Sequence, residues 1–167
     1  MGFVSESYIR ANQIEIVKAA PEKIGEYKQI FDNSALFNHY FKKNPELLDK
    51  WLTENIAAGQ AYVALDRDGN AVGWISFKMD GMFGYPDVTL LGVKEACRGR
   101  GIGEYLIQFY IGVAGCLGHK EVGIVVNDWN PRARKLYTRM GFFHKKSFED
   151  PYIGGFEDHL LVRRSEE

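Results

Sequence analysis

A six-residue stretch in the second half of the chain has the composition of an anion-binding turn. Arg98-Gly99-Arg100-Gly101-Ile102-Gly103 follows a strand-like segment and opens a helix-like one. The first turn of a helix presents backbone N–H groups without internal partners, and the helix dipole adds partial positive charge there. Glycines let an anionic group approach that backbone closely, and the two arginines add charge at the rim. The pattern predicts a site for a pyrophosphate-bearing ligand.

Two common nucleotide motifs do not fit this turn. A P-loop ends in Gly-Lys followed by Ser or Thr, whereas Gly103 is followed by Glu104. A dinucleotide fingerprint counted from Gly99 places Glu104 where the third glycine belongs. For the hexapeptide on its own, a flexible turn whose glycines serve tight packing remains the alternative.

The elements that must position this turn follow from periodicity. Alternating or apolar runs predict strands at residues 14–18, 61–65, 72–77, 87–93, 122–126, 142–148 and 159–163. Helical spacing predicts helices at residues 21–31, 45–58, 101–117 and 131–140. No repeat or linker interrupts them, so residues 1–167 are expected to form a single mixed α/β domain.

Composition narrows the class of protein. The 167 residues are 46% hydrophobic and 26% charged with a net charge of -1, which is typical of a globular protein without the basic excess of a nucleic-acid binder. The two cysteines and four histidines have no metal-ligand or disulfide spacing, so no metal is expected. Without an apolar run of membrane-spanning length or a signal peptide, no membrane partner and a cytoplasmic location are expected.

Two motifs in register resemble the GCN5-related N-acetyltransferase (GNAT) superfamily. Val93-x-x-x-x-Arg98-Gly99-x-Gly101-Ile102-Gly103 resembles its acyl-CoA signature, and Asn130-x-x-Ala133-x-x-Leu136-Tyr137-x-x-x-Gly141-Phe142 resembles its second motif. The resemblance covers about residues 60–145 and departs at Glu95-Ala96-Cys97, where many members have Pro, an acidic residue and an aromatic. It implies a GNAT-like α/β (α+β) fold: a mixed, mostly antiparallel central sheet of about seven strands with about four flanking helices.

The resemblance also implies how acetyl-CoA is held. In the family, the pantetheine arm enters a splay between two parallel strands, which correspond here to residues 87–93 and 122–126. The backbone of Leu91 and Val93 would bond that arm, and the Leu91 N–H would polarise the thioester carbonyl. The implied donor-binding set is Leu91, Gly92, Val93, Arg98, Gly99, Arg100, Gly101, Ile102, Gly103, Asn130, Arg132 and Tyr137.

Each residue with an implied catalytic role also has a second interpretation. Tyr137 matches the family's general acid, although a core tyrosine on an amphipathic helix has the same pattern. Asp87 aligns with the strand position of a catalytic base, but a carboxylate beside a proline also caps turns, and many members use water chains instead. Asn130 either bonds the cofactor arm or caps the next helix. Cys97 as an acyl-carrying nucleophile is disfavoured by the family's direct transfer.

The implied function is transfer of an acetyl group from acetyl-CoA to a primary amine of a small molecule or peptide. The acceptor pocket would involve aromatic segments, namely Phe37, His39, Tyr40, Phe41, Phe83 and Tyr85. A non-catalytic acyl-CoA-binding regulatory module on the same fold is the alternative. A homodimer is expected only by analogy with look-alikes.

Overall fold

The structure is a computed structural model that describes residues 8–151 and 154–165. Its internal contacts group the chain into two units, one of Met1–Phe77 with Thr89–Ile107 and the other of Lys78–Val88 with Gln108–Glu167. Each unit is described below by itself. The single domain spanning residues 1–167 stays a prediction.

A four-stranded sheet belongs mainly to the first unit. Its strands are β1 (Glu15–Lys18), β2 (Ala61–Leu65), β3 (Ala71–Lys78) and β4 (Asp87–Val93), in the order β1-β2-β3-β4. The pairs β1–β2 and β2–β3 are antiparallel. The turn between β2 and β3 is closed by Asp66, whose carboxylate accepts the N–H groups of Asp68 at 3.0 Å and Asn70 at 2.9 Å. The turn closes a hairpin between two strands that the sequence predicts.

The helical segments of the first unit form an aromatic core. They are α1 (Ile24–Lys28) between 3-10 turns at Pro21–Lys23 and Gln29–Phe31, a π-helical turn at Phe37–Phe41, and α2 (Pro45–Ala57). The ring of Phe41 lies 5.4 Å from that of Trp51 and 6.4 Å from that of Phe31. Phe41 and Tyr40 are buried. These two aromatics are therefore core residues. Of the expected acceptor set, His39 and Phe83 are exposed, and Phe37 and Tyr85 are half-buried.

Helix α3 (Ile102–Cys116) follows the glycine-rich turn and packs its first turns on β3. A Cβ atom added to Gly73 on β3 would lie 2.9 Å from Leu106 Cδ1 and 3.0 Å from Ile102 Cγ2. Ile102 and Leu106 are themselves buried. Close packing of this helix on the sheet therefore fixes the direction in which its N-terminal N–H groups point.

The second unit contains a three-stranded antiparallel sheet. Its strands are β5 (Glu121–Asn127), β6 (Phe143–Glu149) and β7 (Glu157–Arg164), in the order β5-β7-β6. Helix α4 (Pro131–Arg139) connects β5 to β6. A backbone hydrogen bond of 2.8 Å runs from the N–H of Gly123 on β5 to the carbonyl of Pro86, the residue before β4. Strand β7 is thus the central strand of this sheet, and β5 also bonds the segment that leads into β4.

Among the residues that the structure describes, the mixed α/β class, the strands β1–β7 and the helices α1–α4 agree with the prediction. The seven strands form two hydrogen-bonded sheets of four and three strands rather than one sheet. Predicted ends differ from the observed ones by two residues at most, provided that the 3-10 turns on either side of α1 are counted with the predicted helix 21–31. Within residues 8–151 and 154–165, none of the helices has the length and apolar character needed to cross a bilayer.

Candidate active site

The glycine-rich turn has the backbone geometry that its sequence predicts. Gly99 and Gly101 have φ angles of +77° and +91°, in the left-handed region that favours glycine. The N–H of Tyr105 donates to the carbonyl of Gly101 at 2.9 Å, and this is the first bond of α3. The turn therefore leads directly into the N-terminus of the helix.

The backbone N–H groups of residues 99–104 are the main chemical feature of this turn. Over the described part of the chain, none of them donates a hydrogen bond to a protein acceptor. Gly99 and Arg100 are exposed, and Gly101 and Gly103 are half-buried. Ile102 and Glu104, between and after them, are buried. A run of unbonded donors at a helix N-terminus, partly open to solvent, is the arrangement that binds phosphate groups.

Arg98 holds the turn in place. Its Nε donates to the carbonyl of Val93 at 2.8 Å, and its terminal nitrogens donate to the carbonyls of Asp32 at 2.7 Å and Asn33 at 3.2 Å. The guanidinium is thus engaged with the backbone of β4 and of the segment after α1. Arg100, by contrast, is exposed, and its guanidinium lies 5.2 Å from the ring centroid of Tyr8.

Arg98→Lys is expected to loosen this turn, because one ammonium cannot replace a planar fork that reaches three carbonyls. We expect the free energy of unfolding to fall by about 1–3 kcal/mol, as for loss of charge-assisted hydrogen bonds. Affinity for CoA should fall about tenfold, the equivalent of about 1.4 kcal/mol. Urea denaturation and calorimetry measure the two effects. Arg100→Lys is the control, and equal unfolding free energies for the two variants would contradict the anchoring role.

Residues 95–97, where the sequence departs from the family pattern, form a short turn that is held by polar contacts. Glu95–Cys97 form a 3-10 turn in which the N–H of Cys97 donates to the carbonyl of Lys94 at 2.8 Å. The Glu95 carboxylate accepts the side-chain amide of Asn33 at 2.7 Å. A polar contact to the segment after α1 thus supports the turn here.

Two acidic groups of the predicted mechanism lie in the second unit. Tyr137, on α4, is 6% exposed, and its hydroxyl has no hydrogen-bond partner among the described residues. Burial raises the pKa of Tyr137 far above its ordinary value, and the negative charge of Asp87 raises it further. The phenol is therefore fully protonated at neutral pH and available to donate.

Asp87, the first residue of β4, is a buried carboxyl with an unsatisfied oxygen. It is 8% exposed, and its Oδ1 lacks a partner in the part of the chain that the structure describes. Burial raises the pKa of Asp87 to about 7, although the charge of Lys78 and the N–H of Val88 lower it. A Cβ atom added to Gly81 would lie 2.4 Å from Asp87 Cβ, so the loop before β4 packs closely on this carboxyl.

Tyr110, on α3, is a second buried tyrosine close to Asp87, and it was not identified from the sequence. Its hydroxyl donates to the carbonyl of Gly123 at 2.8 Å, and burial, followed by the charge of Asp87, raises its pKa. The sequence pattern gives this tyrosine no feature that distinguishes it from the other residues of the helix. Its hydroxyl pairs with backbone, whereas that of Tyr137 does not.

Asn130 is the N-cap of α4. Its side-chain oxygen accepts the N–H of Ala133 at 3.3 Å, which is the capping alternative raised by the sequence. The side-chain nitrogen of Asn130 makes no hydrogen bond to the residues described, so a contact to the cofactor arm stays a prediction. Arg132, in the first turn of the same helix, is exposed.

The remaining predicted donor-binding residues lie on β4 in the first unit. Leu91 and Val93 are half-buried, and Gly92 is buried. A Cβ atom at Gly92 would come within 2.4 Å of the Phe31 ring, which gives a packing reason for glycine between them. The roles of these three residues in binding pantetheine stay predictions.

The fold and the turn together define the class of protein, which has an acyl-CoA N-acyltransferase fold with a glycine-rich turn between β4 and α3. Comparison with known proteins identifies the family to which the chain belongs. The model of the acetyltransferase (GNAT) family matches residues 27–142, and the chain belongs to this family.

Relatives of known sequence agree with that assignment. The chain is 33% identical over 104 residues to YwnH of Bacillus subtilis (strain 168), named as a proposed phosphinothricin acetyltransferase, with 59% of this chain and 62% of that protein aligned. It is 34% identical over 107 residues to an uncharacterized N-acetyltransferase of Methanocaldococcus jannaschii, with 62% and 65% aligned. The match thus spans less than two thirds of each relative.

Solved structures share the fold. The structure of Ard1 from Thermoplasma volcanium superimposes with a TM-score of 0.73 at 19% identity, covering 92% of this chain and 99% of that one. At this identity the likeness concerns the fold alone.

Proposed function

We propose that the protein is an N-acetyltransferase that moves an acetyl group from acetyl-CoA to a primary amine of a small molecule or peptide. The observation that carries the proposal is the run of unbonded N–H groups at residues 99–104. Such a run suits the diphosphate of a coenzyme. Membership of the GNAT family makes acetyl-CoA the coenzyme of choice.

In this proposal, backbone groups bind most of acetyl-CoA, and two side chains transfer the protons of the reaction. The N–H groups of the turn bind the diphosphate, the backbone of Leu91 and Val93 binds the pantetheine arm, and the Leu91 N–H stabilises the oxyanion. Exposed Arg100 and Arg132 supply positive charge for the phosphates. The side-chain amide of Asn130 donates to the coenzyme arm while its oxygen caps α4.

Asp87 is the proposed general base. A carboxyl with a pKa of about 7 is partly ionised at neutral pH and accepts a proton far more readily than an ordinary aspartate. Its unbonded Oδ1 is the oxygen that receives the proton, directly or through water, from the attacking amine. The neutral amine then attacks the thioester carbon to form the tetrahedral intermediate. When this collapses, the C–S bond breaks, and the nitrogen loses its second proton, which restores the phenol of Tyr137 once it has protonated the thiolate.

Tyr137 is the proposed general acid, and its acidity is linked to Asp87. The negative charge of Asp87 is one of the two causes that raise the pKa of the phenol. When Asp87 takes the proton of the amine, that charge disappears, and the pKa of Tyr137 falls. Proton uptake at the base thus prepares the acid to protonate the departing thiolate of CoA.

The experiment that tests the function is turnover on a panel of amines. Acetyl-CoA is incubated with phosphinothricin, an amino acid, a diamine and a peptide with a free N-terminus, while free thiol and acetylated product are measured together. We expect stoichiometric release of both for at least one amine. The relative named for phosphinothricin makes a small amino acid the first acceptor to try. Coenzyme binding without turnover on any amine would favour the regulatory alternative.

Asp87→Asn separates the stability of the fold from the action of the base. The raised pKa of Asp87 means that the folded protein holds more protons than the unfolded chain between about pH 4 and 7, since its ordinary value is 3.8. The free energy of unfolding therefore falls as pH rises through this window. The shift of roughly three units corresponds to a few kcal/mol. Asp87→Asn should remove this loss and be the more stable protein at pH 8.

The same variant should lose the rise of kcat/KM through pH 7, because no group remains to be deprotonated there. Denaturation and steady-state kinetics at pH 5 to 8 check the two effects. Asp80→Asn, at an exposed aspartate of the same loop, is the matched control and should change neither profile. A wild-type pH profile retained in Asp87→Asn would eliminate Asp87 as the base.

A further inference from the structure

A chain of hydrogen-bonded side chains lies on β6 and β7 of the second unit, outside the residues assigned above. The hydroxyl of Ser147 is 2.8 Å from His144 Nε2 and 2.9 Å from His159 Nδ1. The other ring nitrogen of His159, Nε2, is bonded to the carboxylate of Asp128. His159 is 6% exposed, so its ring is held from both sides in a fixed orientation.

The Nε2 side of His159 faces two carboxylates. The ligand atoms of Asp128, Glu157 and His159 all lie within 4.8 Å of one another. The backbone sets this spacing, because the N–H of Asp128 donates to the carbonyl of Glu157 at 3.0 Å and Val126 pairs with His159 across β5 and β7. Strand pairing thus brings Asp128 to Glu157 and His159, which lie in a distant part of the sequence, and residue spacing alone therefore predicted no metal site.

Negative charge accumulates around this cluster. Glu149 and Glu157 stand directly opposite each other on β6 and β7, and like charges in that position are destabilising. Because successive side chains of a strand point to opposite faces, Asp158 lies on the other face of β7, where the side-chain amide of Asn127 donates to Asp158 at 2.5 Å and to Asp150 at 3.3 Å. A cation bound by Glu157 would relieve its repulsion with Glu149.

We propose that Asp128, Glu157 and His159 bind a divalent transition-metal ion, with Zn²⁺ as the best fit. One imidazole nitrogen and two carboxylate oxygens suit Zn²⁺, whereas Ca²⁺ and Mg²⁺ favour all-oxygen ligand sets. The ion would replace the hydrogen bond between His159 Nε2 and Asp128. Ser147 supplies the bond to the opposite ring nitrogen that metal-binding histidines usually make. Its hydroxyl both donates and accepts, so the chain to His144 accommodates the tautomer that metal binding requires.

The ion has a structural consequence. Asp128 lies two residues before Asn130, the N-cap of α4, and α4 carries Tyr137. A metal that ties Asp128 to β7 would fix the start of this helix. The inference concerns binding and stability, and it stands whether or not the protein transfers acetyl groups.

The test compares two isosteric variants that remove the same charge. Glu157→Gln removes a proposed ligand, and Glu149→Gln removes the residue opposite it, so both relieve the same repulsion between strands. Zn²⁺ is titrated into the wild type and both variants by calorimetry, and the melting temperature is measured with and without Zn²⁺. We expect one Zn²⁺ per chain and a higher melting temperature for the wild type and Glu149→Gln. Affinity should fall at least about tenfold in Glu157→Gln alone.

Three results would overturn the site. The first is an absence of Zn²⁺ binding by the wild type. The second is equal Zn²⁺ affinity in Glu157→Gln and Glu149→Gln, which would place the ion elsewhere. The third is binding of Ca²⁺ as tightly as Zn²⁺ by the wild type, since a site with an imidazole ligand favours Zn²⁺.

Discussion

Gly103→Asp is expected to weaken binding of acetyl-CoA at least about a hundredfold while leaving the protein folded. Gly103 lies in the first turn of α3, among the unbonded N–H groups proposed to hold the diphosphate. An added Cβ would meet Val93 Cγ2 at 3.6 Å, an ordinary contact, and the residue does not have a positive φ. The fold therefore has room for the side chain.

Charge accounts for the expected loss. A carboxylate in the first turn of a helix is favourable for the helix itself. It would, however, lie close to the phosphates, and like charges about 4 Å apart near a protein surface repel by about 4 kcal/mol. A factor of ten in affinity corresponds to about 1.4 kcal/mol, so even partial screening leaves a hundredfold effect.

Gly112→Asp is the matched control for this substitution. Gly112 lies on the same helix, is exposed, and has no heavy atom within 4 Å of an added Cβ. Its affinity for acetyl-CoA should stay within about twofold of the wild type, and calorimetry compares the two. If Gly103→Asp bound the coenzyme as tightly as Gly112→Asp, the diphosphate could not lie at this turn.

The local features of the fold were the ones that the sequence could predict. Glycines at 99 and 101 specify left-handed backbone, and the predicted turn and helix are found where the pattern places them. The strand at Asp87–Val93 was predicted with both ends correct. Each of these signals lies within about twenty neighbouring residues, so the pattern alone is sufficient to read them.

Features that depend on long-range pairing could not be predicted in this way. The need for glycine at position 92 is explained by the ring of Phe31, which belongs to a distant segment of the chain. Arg98 reads as a charge for the ligand, yet its nitrogens bond the carbonyls of Asp32 and Asn33 far away in the chain. The order of strands decides these contacts, and a single sequence does not contain that order in any local pattern.

The burial of Asp87 is another property that depends on the folded structure and not on the local sequence. The sequence places an aspartate at a strand start after Pro86, where capping and catalysis predict the same residue type. Only the folded unit reveals that the carboxyl is 8% exposed and that one oxygen lacks a partner among the described residues. Burial then raises its pKa to about 7, a property with no signature in the sequence.

Tyr137→Phe is expected to lower kcat by about 10²–10³ while leaving affinity for acetyl-CoA nearly unchanged, as for loss of a positioned general acid. The hydroxyl has no hydrogen-bond partner in the described residues, so its removal leaves no protein group unsatisfied. The ring packs 6.1 Å from that of Phe142, and phenylalanine preserves this contact. The free energy of unfolding should therefore stay close to that of the wild type.

Tyr110→Phe is the control that distinguishes an acid from a core tyrosine. It deletes the same atom from a second buried phenol near Asp87, but here the hydroxyl donates to the carbonyl of Gly123. Leaving that buried carbonyl unpaired should cost about 1–3 kcal/mol of stability and change kcat less than threefold. Single-turnover kinetics and denaturation measure the two losses for both variants. The acid role requires the two substitutions to have opposite profiles, with rate lost at Tyr137 and stability lost at Tyr110. If Tyr137→Phe lost stability and kept its rate, Tyr137 would be only a core residue, and water would have to protonate the thiolate.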